Sequence, residues 1–127
     1  MKKGTLYKKD VQEWTNRAKD DVRWAEYNYA GKFWPQTCFA CQQAVEKIFK
    51  AYLLFQNQGI PRTHKLLSLL EKCVVFENRF KSWSKPASSL DKYYIRTRYP
   101  DVSPSEFSQE QAADALKIAK EITTFTM

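Results

Sequence analysis

Between Tyr93 and Asp101 the chain reads Tyr93-Tyr94-Ile95-Arg96-Thr97-Arg98-Tyr99-Pro100-Asp101, placing two guanidinium groups among three phenol rings. Arginine forks match phosphate and carboxylate oxygens, and tyrosine faces can stack on bases. Pro100 closes the run, because proline lacks a backbone donor and disfavours helical geometry in the residue before it. A helix carrying Tyr93 to Arg96 therefore cannot continue past Tyr99, and it presents cations and rings at its end. The chemistry indicated is anion recognition with base stacking. The plainer alternative is that Tyr93 or Tyr94 packs in a core while the arginines are merely solvated.

Arg96 and Arg98 are the leading anion ligands, and Lys92, four residues before Arg96, can share its helix face. Tyr94 and Tyr99 are the stacking candidates, since neighbouring helical residues point apart and one of Tyr93 and Tyr94 is expected to pack. A structural ion pair with Asp101 or Glu46 competes for the arginines. Glu46 and Lys50 have i to i+4 spacing, which as a surface pair is worth only about 0.2–0.5 kcal/mol. In the functional version, Glu46 orients an arginine of the 96–98 segment across the bundle. His64, the single histidine, falls where a helix is expected to begin. A neutral structural hydrogen bond there competes with an anion site shared with Arg62 and Thr63 at the helix N-terminus.

The cysteines offer less. Cys38-Phe39-Ala40-Cys41 has a metal-like or redox-like gap, but Cys73 and His64 supply no second pair. Cys38 and Cys41 also fall on an apolar helical stripe with Val45, Ile48, Tyr52 and Phe55, where buried thiols act as small hydrophobes. Core packing is the reading, with no metal and no cofactor implied.

These residues sit in a chain of 127 residues with formal net charge +7, 19 aromatic residues and three glycines. That is the size of one domain with a substantial core, and it is poor in the glycines that tight hairpins use. Residues 46–98 carry eleven Lys/Arg against four Asp/Glu, and the charges of the flanking segments cancel. The whole excess therefore lies in the middle, where it would attract a polyanion or an acidic protein. No run reaches the 18 or so apolar residues of a membrane span, and the start lacks an apolar signal region, so a cytoplasmic protein is expected.

The positioning elements read as helices. Val11, Trp14, Ala18, Val22, Ala25 and Tyr29 step by three and four, with Asp10 and Glu13 as an opening capping box and Gly31 at the end. Trp34-Pro35 opens a second helix running to about Gln58. It is apolar over so wide an arc that it must be central or meet another subunit. Thr63 caps a third helix with Leu66, Leu67 and Leu70. Pro86 opens the helix leading to Arg96, and Ser108 with Gln111 caps the last one. The expected fold is all-α: an antiparallel up-and-down four-helix bundle with an optional short fifth helix.

In this order the residues resemble the HEPN domain, the helical nucleotide-binding module of higher eukaryotes and prokaryotes. The resemblance rests first on Ala18, Asp21 and Ala25, then on Gln42-Gln43-Ala44-Val45-Glu46-Lys47 with Lys50-Ala51. Thr63-His64-Lys65-Leu66, Tyr93-Tyr94, Arg98-Tyr99-Pro100-Asp101, and finally Ala112, Ala113, Leu116 and Ala119 continue it. It spans about residues 8–125 of a single domain covering 1–127. It implies a bundle that commonly dimerises, with roles around nucleotides and RNA. Many members are metal-independent ribonucleases of toxin–antitoxin and defence systems. Others are non-catalytic partners of small nucleotidyltransferases.

The nuclease branch is marked by an arginine followed, after four to six residues, by a histidine. Here those positions after Arg98 are Ser103, Pro104 and Ser105, and no other arginine meets the spacing. The expectation is thus a non-catalytic module that homodimerises, binds a nucleotide or RNA phosphate, and pairs with a nucleotidyltransferase-like protein. The alternatives are a divergent metal-independent endoribonuclease using Arg98 with His64 or a tyrosine, and a purely structural homodimeric scaffold.

Overall fold

The computed structural model of the chain describes residues 5–96 and 107–127, with all their side chains except those of 95 and 96. The described residues form five α-helices and no strand. These are α1 (Lys8–Ala30), α2 (Trp34–Phe55), α3 (Leu66–Val74), α4 (Ser84–Arg96) and α5 (Gln109–Thr126). A 3-10 segment, Asn78–Trp83, joins α3 to α4. The fold is all-α as expected, and the short additional helix is the nine-residue α3.

The α1–α2 connection shows how local chemistry sets direction. The Lys32 amide donates to the Tyr29 carbonyl at 3.0 Å and the Phe33 amide to Asn28 at 2.8 Å, which is the Schellman pattern. Its left-handed residue is Lys32, at φ 64°, and not Gly31, which stays right-handed. Gly31 makes room instead: a Cβ there would stand 2.9 Å from the Phe33 ring, which would have to shift. The chain turns back, so Tyr29 meets Trp34, Asp21 meets Lys47 and Trp14 meets Lys50 along an antiparallel pair. α5 is antiparallel to α1, with Gln109 near Tyr29 and Met127 sharing a cleft with Lys19.

α2 is the central helix. It packs against α1, α3, α4 and α5, and fourteen of its 22 residues are buried. The wide apolar arc is therefore consumed inside the fold. α2 ends earlier than expected, at Phe55, because Asn57 adopts φ 61° and closes a second Schellman motif through Asn57 to Leu54 and Gln58 to Leu53. Asparagine tolerates this geometry better than most residues.

Two expected caps are not used. α1 begins at Lys8 after Tyr7, which puts Asp10 inside the first turn, where its charge favours the helix N-terminus without closing a box. α3 begins after Lys65, with Thr63 bonding only the Lys65 amide. At α5 both hydrogen bonds of the Ser108–Gln111 capping box are present, as the spacing predicts.

Candidate ligand-binding site

The polar residues of α2 that should have faced water instead meet inside the bundle. Glu46 and Lys50 are 5% and 4% exposed, and the Lys50 ammonium lies 3.0 Å from Glu46 Oε2. This corrects the expectation of a surface pair: α1 brings Trp14 against Lys50, its ring centroid 5.8 Å from the Lys50 nitrogen. His64 closes the cluster, its Nδ1 also 3.0 Å from Glu46 Oε2. A carboxylate only accepts, so this contact places a hydrogen on Nδ1. Glu46 Oε1 is buried and has no hydrogen-bond partner among the described residues.

His64 stands in the loop before α3 and not in its first turn, and three other residues hold that loop in place. Gln42 Nε2 donates to the His64 carbonyl at 3.2 Å, and Gln43 in turn donates to Gln42 Oε1. Asp91, on α4, accepts from the Leu66 amide at 2.6 Å and the Leu67 amide at 3.2 Å. One carboxylate thus caps α3 from another helix. The anion position at this helix N-terminus is already occupied by the protein's own charge, which leaves no such site for Arg62 and Thr63 to share.

Tyr94 stacks on the His64 ring, with centroids 4.8 Å apart and planes 13° from parallel. Its neighbour Tyr93 is buried and hydrogen-bonded to Cys38, so the adjacent tyrosines divide as their helical directions require. The Lys92 ammonium lies 5.2 Å from the Tyr93 ring centroid, away from the His64 contacts. The structure thus brings together Glu46, Lys50, His64 and Tyr94, and it places Lys92 apart. Arg98 and Tyr99 lie outside the described residues, and Arg96 is described only as the last residue of α4.

Sequence reasoning missed Asp91, Gln42 and Trp14 as parts of this arrangement. Gln42 and Trp14 stood in recognised patterns without a role. Asp91 carried no signal, because its partners are backbone amides 24 and 25 residues away.

Cys38, Cys41 and Cys73 are buried free thiols. Burial raises Cys38 from the ordinary value near 9 to about 11, and Cys73 to about 12. Burial likewise raises Cys41 and Tyr93. A group raised in the folded state contributes stability that is complete below its unfolded value and is lost as pH climbs toward its folded value. The protein should therefore weaken between about pH 9 and 12, by on the order of 1–3 kcal/mol per buried thiol. Urea unfolding at stepped pH would check this, since Cys73→Ala protein should lose stability less steeply over that range. An unchanged slope in that variant would assign the alkaline transition to other groups.

The helical bundle thus carries a polar pole, a buried carboxylate–ammonium pair with a half-exposed imidazole on the same carboxylate oxygen. The chain belongs to the HEPN domain family, whose profile matches residues 11–127. In the solved structures it is similar to TT1696 from Thermus thermophilus, with 30% identity and a TM-score of 0.84. That match covers 91% of this chain and 94% of the other. ST0689, described as an archaeal HEPN homologue, is also 30% identical, with a TM-score of 0.75 and coverage of 91% and 93%. Among curated proteins, the chain is 28% identical over 121 residues to "Putative toxin MJ1304" of Methanocaldococcus jannaschii. This alignment covers 84% of the chain and 78% of that protein. Among the described residues, no helix is long and apolar enough to cross a membrane.

Proposed function

We propose that this chain is a toxin-like HEPN module that binds a nucleotide or RNA phosphate at the pole where Glu46, Lys50, His64 and Tyr94 meet. The observation that carries this reading is Glu46 itself. A 5% exposed carboxylate holds two cation-capable groups on Oε2 and keeps Oε1 without a described partner. Burying such an atom is costly, and a donor brought to it recovers that cost. Arg96 or Arg98, which follow Tyr94 along the chain, would be that donor and would turn the remaining guanidinium toward the phosphate. Tyr94, Tyr99 and His64 would offer ring faces to the base.

The module reading includes a homodimer and a small nucleotidyltransferase-like partner in the cytoplasm, with the chain acting as a single domain over 1–127. Its support is family membership together with the toxin name of the M. jannaschii relative. The absence of a histidine four to six residues after Arg98 favours a non-catalytic role.

The test is a titration of ATP and a short single-stranded RNA into wild-type and Arg96→Ala/Arg98→Ala protein. The double variant should bind at least roughly tenfold more weakly, and its affinity should depend less on salt. Equal binding by a folded variant would remove the arginines from the site. Native mass measurement on material from the host would identify a nucleotidyltransferase partner directly.

One observation favours a second reading, that of a metal-independent endoribonuclease. Half-exposed His64 has its Nδ1 anchored on a carboxylate, which leaves Nε2 without a described hydrogen bond and open to a substrate. In the presence of EDTA, RNA cleavage that disappears in both His64→Ala and Arg98→Ala proteins would establish that reading. Cleavage that persists in both would come from a contaminant.

A further inference from the structure

Trp24, Tyr27 and Phe33 are 46%, 76% and 56% exposed, which leaves three large rings on the outside of one helix end. The core does not require them there. Asp20, Trp24 and Tyr27 step by four and three along α1, on the side away from buried Ala18 and Ala25. The Phe33 ring extends this row, because it lies against Gly31, four residues past Tyr27. Along one flank, Arg23, Glu26, Tyr27 and Ala30 line a hollow of about 330 Å³. Rings gathered in this way mark a contact surface.

The charge of the face selects its occupant. α1 carries five Lys/Arg and five Asp/Glu, whereas the whole chain has a formal net charge of +7. A polyanion, or a protein of either sign, would therefore meet as many like charges as unlike ones. A second copy needs no excess, because the face supplies both members of each pair. Around a two-fold axis between antiparallel helices, a residue a few steps before the axis faces one as many steps after it. With the axis beside Trp24, the two indoles meet each other. Asp20 then faces the turn that carries the partner's Tyr27 hydroxyl, and Arg17 faces the partner's Phe33 ring. Arg23 enters the partner's hollow, toward its Glu26 carboxylate. Within one chain Asp20 and Arg23 are 3.6 Å apart and largely exposed, a weak contact that such pairing can replace. We infer that two copies of the chain pair antiparallel through this outer face of α1, about Trp24. The inference rests on the homodimer of the module reading, to which it adds the face and its geometry.

Cross-linking tests the geometry. The three cysteines of the chain are buried, so a thiol introduced on the outside of α1 reacts alone. A short bis-maleimide should join Arg23→Cys protein into covalent dimers, because both copies of position 23 lie beside the axis. It should not join Glu13→Cys protein, whose new thiol stands about 16 Å from the axis along the helix. Sedimentation equilibrium should show a wild-type dimer, and Trp24→Glu protein of unchanged helix content should associate at least about tenfold more weakly. Cross-linking at both positions, at neither, or at position 13 alone overturns the inference. A dimer that Trp24→Glu leaves intact overturns this face alone, whereas wild-type protein that stays monomeric overturns the homodimer with it. Arg96→Ala/Arg98→Ala protein should dimerise as wild type does, so the phosphate site stands or falls separately.

Discussion

Glu46→Ala protein is expected to lose about 3–5 kcal/mol of folding stability, the effect of stranding a buried charge. Lys50 is 4% exposed, and its only described anionic partner is Glu46 Oε2, with the Trp14 ring on another side. Removing the carboxylate leaves a buried ammonium with no other acid paired to it among the described residues, and it frees the His64 ring from its Nδ1 contact. Urea unfolding monitored through the tryptophans would measure the loss. The same geometry makes a second, opposite expectation. Replacing both partners with apolar residues of similar volume, Glu46→Leu with Lys50→Met, should recover most of the stability, because no buried charge then remains. The double variant should nevertheless fail to bind nucleotide or RNA phosphate under the proposed function. A single variant that loses less than about 1 kcal/mol would mean that Lys50 finds water or another partner, contrary to its burial.

Asp91→Ala should be the second large effect, at about 2–3 kcal/mol. Its carboxylate accepts from two backbone amides, Leu66 and Leu67, at the start of α3. An ordinary N-cap replaced by alanine costs about 0.5–2 kcal/mol, and hydrogen bonds to a charged acceptor are about twice as strong as neutral ones. Asp91→Asn keeps one acceptor oxygen and should lose roughly half as much. The consequence reaches the site, because the loop that Asp91 secures at Leu66 also carries His64. Amide hydrogen exchange should rise at Leu66 and Leu67, and the His64 NMR signals should shift as its stack on Tyr94 loosens. Fast exchange confined to residues near position 91 would show instead that α3 starts without help from α4.

Much of the architecture was legible because helices announce themselves locally. The three-and-four spacing of Val11 to Tyr29, Pro35 at the head of α2 and the Ser108–Gln111 box each depend on neighbours within a few turns. Such signals survive without tertiary information. Where the chain was misread, a competing local signal had the same composition. Asp10 and Glu13 match a capping box, but α1 starts one turn earlier. Gly31 stands at a helix end, but Lys32 takes the left-handed geometry while Gly31 makes room for a ring. Gln58 reads as helix, but Asn57 closes the motif first.

By itself, then, the sequence determined an all-α bundle, its family, a second helix either central or facing another subunit, and the list of polar residues worth following. Glu46, Lys50, His64 and Tyr94 were all on that list. Only the tertiary structure decided that Glu46 and Lys50 are a buried pair and not a solvated one. Spacing along one helix says which residues are neighbours, but burial depends on what another helix lays over them. Here Trp14 from α1 lies against Lys50, and His64 from the loop before α3 meets Glu46. The same holds for Asp91, whose role exists only because folding brings a side chain of α4 to backbone amides at the head of α3.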